Sequence, residues 1–235
     1  MGEQFREEVP TGSAHPPLSD LDSRQRSARI LEEVKGLALP PFEKALIAAT
    51  RLHDGQFRKM SEESRGEPIP YISHLLAVVG LVMEGGATEQ MLIAALLHDS
   101  VEDQQAAYAD IAAVFGNRVS EIVRGCTDED AADPGYERSA GNSWPRKQIY
   151  LEHLRAEEDS DIVRVALADR LHNARSVLAD YRSLGDRLWH RFNVGKERQL
   201  EYYQALAQIF HSKLPGDSQA RELDLTVREI VKISA

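Results

Sequence analysis

The sequence predicts an all-α protein, and three observations carry that reading. Apolar residues recur at intervals of three and four from Ser27 onward, no segment alternates convincingly with period two, and the interruptions fall on Gly- and Pro-containing stretches. The helical period runs through Ala28-Ile30-Leu31-Val34, Phe42-Ala45-Leu46-Ala49-Leu52, Ile72-Leu75-Leu76-Val79-Leu81 and Met91-Leu92-Ala95-Leu96. It continues in Ile111-Val114-Phe115, Val119-Ile122-Val123, Ile149-Leu151-Leu154 and Ile162-Val165-Ala166-Leu171-Val177-Leu178. Leu200-Tyr203-Leu206-Phe210 and Leu225-Val227-Ile230-Val231 complete a set of about ten helices. Turn chemistry separates them at Gly66 to Pro70, Glu84-Gly85-Gly86, Asp128 to Asn142 and Pro215-Gly216-Asp217.

Residues 1–25 carry Pro10, Gly12, Pro16 and Pro17 among Ser, Asp and Glu, cannot bury much apolar surface, and read as a flexible lead-in. Residues 26–214 form one helical domain. Residues 215–235 add a helix that packs on the domain or lies at an oligomer interface, the first being preferred. The acidic stretch from Asp128 to Asn142 is a mobile flap or a solvated connection, the second being preferred.

The chain has 28 basic and 38 acidic residues among its 235, a formal charge of -10, which opposes a nucleic-acid footprint but leaves room for a small anionic ligand bound by a local basic patch. No apolar run reaches the roughly 20 residues needed to span a bilayer, and the N-terminus lacks the order of a signal peptide, so a cytoplasmic protein without a membrane partner is expected. The one cysteine, Cys126, reads as a buried structural residue.

The strongest chemical feature is Ala94-Ala95-Leu96-Leu97-His98-Asp99-Ser100-Val101-Glu102-Asp103, an apolar helix ending in a polar cluster. Adjacent His98 and Asp99 can offer nitrogen and oxygen to one cation, while Glu102 and Asp103, one turn later, can face its water. Solvation at a helix end is the bland alternative, but the apolar run before the cluster points that end inward. Asp169 lies within the apolar stripe of Val163 to Ala174, where an uncompensated carboxylate would be expensive; alone it would more often be a structural ion pair. Asn173, one turn on, can hold a ligand or substrate group from the same face. His53, a lone helical histidine usually structural in kind, is followed by Arg58 and Lys59. His74 is a weaker candidate, a supporting residue or structural hydrogen-bond donor. His172 reads as a satisfied or surface histidine outside the metal set. Arg146-Lys147 and the group Arg191, Lys196 and Arg198 could neutralise phosphates, though a solvated basic face is the commoner outcome.

The order His53-Asp54-Gly55-Gln56-Phe57-Arg58-Lys59, Pro70-Tyr71-Ile72-Ser73-His74, Leu96 to Asp103, Phe115-Gly116 and Asp169-Arg170-Leu171-His172-Asn173 resembles the hydrolase domain of RelA/SpoT-type alarmone enzymes, members of the HD superfamily, from about Lys44 to about Leu178. The resemblance implies a single HD-domain helical bundle and a Mn²⁺ ion, with Fe²⁺ or Zn²⁺ as alternatives, held by His53, His98, Asp99 and Asp169. It implies that Glu102 and Asp103 position and deprotonate the attacking water. Asn173, Arg58 and Lys44 become substrate contacts, and Lys147 a further candidate. The implied reaction removes pyrophosphate from the 3′ position of (p)ppGpp to leave GDP or GTP. Extra residues around Met60 to Arg65, Ile69 before Pro70, and Leu75 after His74 depart from the family pattern and alter the pocket rim. That keeps (p)ppApp and NADPH open as substrates of the same chemistry, with a catalytically silent nucleotide-binding regulator ranked below the enzyme. Oligomerisation stays open.

Overall fold

A computed structural model describes residues 17–58, 68–127 and 143–235. Much of the lead-in, the Met60 to Arg65 insertion and the Asp128 to Asn142 connection lie outside these residues. The described chain is helical: α1 (Ser23–Lys35), α2 (Pro41–Leu52), α3 (Ile72–Glu84), α4 (Glu89–Leu97), α5 (Ser100–Gln104), α6 (Tyr108–Phe115), α7 (Asn117–Cys126), α8 (Ser143–Ala156), α9 (Ser160–Leu184), α10 (Gly195–Lys213) and α11 (Ser218–Ser234). Short 3₁₀ turns cover Leu18–Asp20 and Gly185–Arg191. The all-α expectation holds. Among the described residues the only β-type pairing is an antiparallel bridge between Phe57 and Pro70, where Arg58 N–H donates to Ile69 O and Tyr71 N–H to Gln56 O, both at 2.9 Å. No described helix is long and apolar enough to cross a membrane.

Local chemistry sets the helix starts. Asp22 and Gln25 form a reciprocal capping box at α1, Thr88 Oγ1 accepts from Met91 N–H at α4, and Asp217 accepts from Gln219 and Ala220 N–H at α11. Proline opens α2, where a missing N–H costs nothing. Two helices are buried almost throughout and form the centre. Ile93 to Leu97 of α4 are all buried, and α9 buries residues on several faces from Ile162 to Leu184. Around them, α9 packs on α3, α7, α10 and α11, while α4 packs on α2, α3 and α7.

The C-terminal helix α11 lies on the domain: it buries Ala220, Leu223, Val227 and Ile230, and Gln219 Nε2 donates to the Leu81 carbonyl of α3 at 2.7 Å. Cys126 is buried, and burial pushes its thiol well above the ordinary range, which makes it unreactive.

At Gly125, α7 leaves no room for a side chain against α9. A Cβ built there would stand 2.5 Å from Ile162 Cγ2 and 2.7 Å from its Cδ1. Gly125→Ala should therefore destabilise the fold by about 1–3 kcal/mol despite the better helix propensity of alanine, lowering Tm, and Ile162→Ala in the same chain should restore part of the loss beyond additivity. Additive losses in thermal denaturation would contradict the contact.

The same helix pair is clamped at its edge. Arg118 of α7 reaches Asp159 Oδ2 at 2.5 Å and Asp161 Oδ2 at 2.6 Å, and Asp159 caps α9. The hydrogen bonds from Arg118 hold the Asp159 carboxyl below its ordinary range. A depressed carboxylate pKa contributes stability above the unfolded value near 4 and loses it as pH falls through the folded value. Because Arg118 is two-fifths exposed, Arg118→Ala should cost only about 0.5–1 kcal/mol at pH 7, and the gap between wild type and variant in chemical denaturation should close in acid.

Candidate metal centre

Four helix ends and one helix interior converge on a buried polar cluster. His53 sits in the C-terminal cap of α2, just before a turn in which Gly55 takes φ +74°. His98 and Asp99 occupy the break between α4 and α5, and α5 is closed by Gln105 in the left-handed region. A break lets both adjacent side chains turn inward, which consecutive positions within one regular helix cannot do as well. Tyr71 caps α3 and His74 lies in its first turn, while Asp169 comes from the interior of α9.

The distances are short. His98 Nε2 lies 3.0 Å from Asp99 Oδ2 and 3.7 Å from Asp169 Oδ1. His74 Nε2 lies 3.2 Å from Asp169 Oδ1 and 3.5 Å from Asp99 Oδ2. Tyr71 O–H donates to Asp99 Oδ2 at 2.5 Å, and its ring stacks on His53 with centroids 5.0 Å apart. Donor atoms of His74, His98 and Asp99 all fall within 4.8 Å of one another.

Hydrogen-bond direction shows which nitrogens are free to ligate. Asp103 Oδ2 accepts from Gln56 Nε2 at 2.9 Å, so the Gln56 oxygen faces His53 Nδ1 at 2.8 Å and must accept its proton. His53 Nε2 is left as a lone pair, buried and without a hydrogen-bond partner. His98 Nδ1 likewise meets the Ala95 carbonyl at 2.9 Å, and His98 Nε2 is the second buried nitrogen without a hydrogen-bond partner. Metal-binding imidazoles are typically held this way, by an N–H donated to a protein oxygen on the far side of the ring. The donor set fits a divalent cation: two unpartnered imidazole nitrogens and two carboxylates.

Electrostatics agree with the geometry. Burial lowers the His53 pKa, which favours the neutral ligating form. Burial would lower His98 too, but the adjoining Asp99 and Asp169 carboxylates win and raise it well above its ordinary value, so a cation and a proton compete for that nitrogen. Burial opposes ionisation of Asp99 and Asp169; the His98 charge for Asp99, and the Arg170 charge for Asp169, outweigh it and hold both carboxyls well below their usual range. Asp103 goes the other way: burial, then the Asp99 charge, push it up to about 6.

Residues 45–190 match the HD domain family, more than half of the chain. The chain belongs to the HD domain family. It is 34% identical over 136 residues to the bifunctional (p)ppGpp synthase/hydrolase SpoT of Escherichia coli K12, a stretch covering 58% of this chain and 18% of that protein. It is 34% identical over 134 residues to the probable guanosine-3′,5′-bis(diphosphate) 3′-pyrophosphohydrolase of Synechocystis, covering 57% and 16%. The chain thus spans less than a fifth of the length of these relatives. Among solved structures it resembles a metazoan ortholog of SpoT described as hydrolysing ppGpp, with a TM-score of 0.57, 26% identity, and coverage of 83% of this chain and 96% of that one.

An HD domain implies a divalent metal. In this one, His74, His98 and Asp99 offer ligand atoms within 4.8 Å of one another, Asp169 lies against His74 and His98, and His53 borders the group through its stack on Tyr71, with Asp103 joined to His53 through Gln56. Asn173 Nδ2 donates to Asp169 Oδ1 at 2.5 Å, and Arg58 donates to Asn173 Oδ1 at 3.2 Å, so both border the cluster. Glu102 faces a cavity of about 300 Å³, also lined by Arg146, Lys147, Arg170 and Arg191. Lys147 lies over the Tyr202 ring at 3.8 Å. Arg198 lies over Trp144, and Lys196 pairs with Asp186 at 3.2 Å, so neither has the cavity position of Arg191.

Two expectations change, and one residue is added to the site. Lys44, expected as a substrate contact, precedes His53 by nine positions, and its ammonium donates to the Lys35 carbonyl at the end of α1, 3.0 Å away. His74 is central, because the Tyr71 cap aims the first turn of α3 at Asp99 and Asp169. Gln56 carries weight that spacing alone did not reveal; its only signal was its place in the His-Asp-Gly-Gln segment. Asp169→Ala should lower divalent-ion affinity by about 100-fold or more, measured by titration calorimetry and by metal content after gel filtration, and unchanged retention would remove Asp169 from the ligand set.

Proposed function

We propose that this chain is a Mn²⁺-dependent phosphohydrolase that removes the 3′-pyrophosphate of (p)ppGpp, giving pyrophosphate and GDP or GTP, with His53, His98, Asp99 and Asp169 as ligands. One observation carries the reading: the buried two-imidazole, two-carboxylate cluster adjoins, through Asp169 and its neighbour Arg170 and through the Glu102-Asp103 turn, a cavity lined by four cationic side chains. A cluster of carboxylates alone would repel a polyphosphate; the basic wall accommodates it. The similarity to SpoT and to the metazoan ortholog described as hydrolysing ppGpp supports guanosine tetraphosphate as substrate. A confined cavity and the acidic net charge favour a small nucleotide over a nucleic acid.

A divalent cation at this site would supply Lewis acidity and positive charge for hydrolysis. The remaining work falls to the chain. Asp103, raised to about 6 and oriented by Gln56, takes the proton of the attacking water as its oxygen bonds to phosphorus. The bond between phosphorus and the 3′-oxygen breaks in line, the 3′-oxygen leaves with the bonding electron pair and takes a proton from solvent, and Asp103 returns its own proton to solvent. Glu102 orients the water from the cavity side. Arg58 and Asn173 hold the nucleotide edge, and Arg146, Lys147, Arg170 and Arg191 neutralise the phosphates.

Purified protein with Mn²⁺ restored should release pyrophosphate from ppGpp; release of orthophosphate alone would sink the assignment. Parallel assays with ppApp and NADPH identify the preferred purine, and no turnover of any of the three by metal-loaded protein would favour the silent regulator. The base must be ionised to act, so kcat/KM should be high above about pH 6 and fall as pH drops through that value. Asp103→Asn should lower kcat by about 10²- to 10⁴-fold and abolish that acid limb while leaving Mn²⁺ bound.

A further inference from the structure

Tyr150 lines the basic cavity, and no step of the proposed reaction uses it. The residue is 3% exposed, and its hydroxyl has no hydrogen-bond partner among the described residues. Buried hydroxyls in that condition are uncommon, because their desolvation goes uncompensated. Burial also pushes the Tyr150 pKa up to about 12, so the group keeps its proton through the neutral range. It is a donor without an acceptor.

A second donor stands beside it. The guanidinium carbon of Arg170 lies 4.4 Å over the Tyr150 ring, and Arg170 Nε is likewise buried without a hydrogen-bond partner. Another nitrogen of that guanidinium is already committed, since Nη1 meets Asp169 Oδ2 at 3.2 Å. A guanidinium accepts nothing, so contact with Arg170 can use only the lone pair of the Tyr150 hydroxyl and leaves its hydrogen unplaced. Two neighbouring hydrogens without acceptors, on the wall of a cavity that also holds Arg146, Lys147 and Arg191, call for an oxyanion.

Position selects which oxyanion. Arg170 bridges from Asp169 in the ion site to the ring of Tyr150, and Tyr150 itself makes no hydrogen bond to any residue of that site. A phosphate held by the Tyr150 hydroxyl and Arg170 Nε–H therefore sits across Arg170 from the ion, away from the phosphorus under attack. We propose that Tyr150 is a specificity residue: its hydroxyl, together with Arg170 Nε–H, donates to the 5′-phosphates of the nucleotide, the arm that is not cleaved. The proposal rests on the hydrolase reading above and adds to it a preference for substrates that carry a second phosphate arm.

The test compares Mn²⁺-loaded wild type with Tyr150→Phe, which keeps the ring and removes the donor, on ppGpp and on guanosine 3′-diphosphate, which lacks the 5′ arm. On ppGpp the variant should raise KM about 10- to 100-fold, the worth of a hydrogen bond to a charged group, with kcat within about threefold of wild type. On guanosine 3′-diphosphate the two proteins should have the same KM. A merely structural role would move both substrates alike. Equal KM on ppGpp, or the same rise on both substrates, would overturn the proposal. So would a variant that fails to fold or has a lowered Tm, since a hydroxyl with no protein partner leaves nothing to lose. Wild type that hydrolyses neither substrate would overturn the hydrolase reading instead. Titration of the metal-free proteins with inorganic pyrophosphate would then decide Tyr150: affinity about tenfold weaker in the variant supports the phosphate contact, and equal affinity removes it.

Discussion

Asp99 and Asp169 impose the constraint on which the site depends. Each is a carboxylate in the interior of a helical domain, and their oxygens meet the same two imidazole nitrogens, His74 Nε2 and His98 Nε2, at distances of 3.0 to 3.7 Å. Buried charges persist only where other charges or hydrogen bonds compensate them. Here the compensation is built from four directions: Arg170 on Asp169, the Tyr71 hydroxyl on Asp99, the imidazoles of His74 and His98, and the amide of Asn173. What these do not absorb is available to a cation.

The helix breaks are the means by which the fold assembles this arrangement. A side chain within a regular helix is committed to one face, whereas a residue at a helix end can be turned by a few backbone angles. His53, Tyr71, His98 and Asp99 all lie at ends or caps. Asp169 is the exception, and it lies on α9, which has buried neighbours on several faces and therefore holds a rigid reference position. The tight contact of Gly125 with Ile162 and the Arg118 clamp fix the start of that helix, two turns from Asp169. Stability of the domain and precision of the site thus share one element.

Proton placement joins the ligands to the groups beyond them. Gln56 donates to the Asp103 carboxylate on one side and accepts from His53 Nδ1 on the other, so the proposed base and a proposed ligand are oriented by one amide. On the opposite side the His172–His74 pair faces the carboxylates. The basic cavity beside Glu102 gives the centre a polarity: acidic and metal-binding at its base, cationic at its wall. That asymmetry suits an anion whose reacting bond lies between the two.

Much of this was legible in the sequence for definite reasons. The three-and-four spacing of apolar residues gave the helices because burial of one face enforces that period, and Leu96 to Asp103 announced a polar cluster because four apolar residues led into it. Asp169 stood out as a charge inside an apolar stripe. Hydrogen-bond direction was not legible, since it depends on which atoms meet across helices far apart in the chain. Thus His74 moved to the centre, Gln56 became a link between His53 and Asp103, and Lys44, on the right helix, turned to the end of α1. Sequence by itself determined the fold class and the residue types able to hold an ion, because both follow from local pattern and chemistry. Only the tertiary structure decided which nitrogens are donors and which are free, because that is settled by the convergence of α2, α3, α9 and the α4–α5 break.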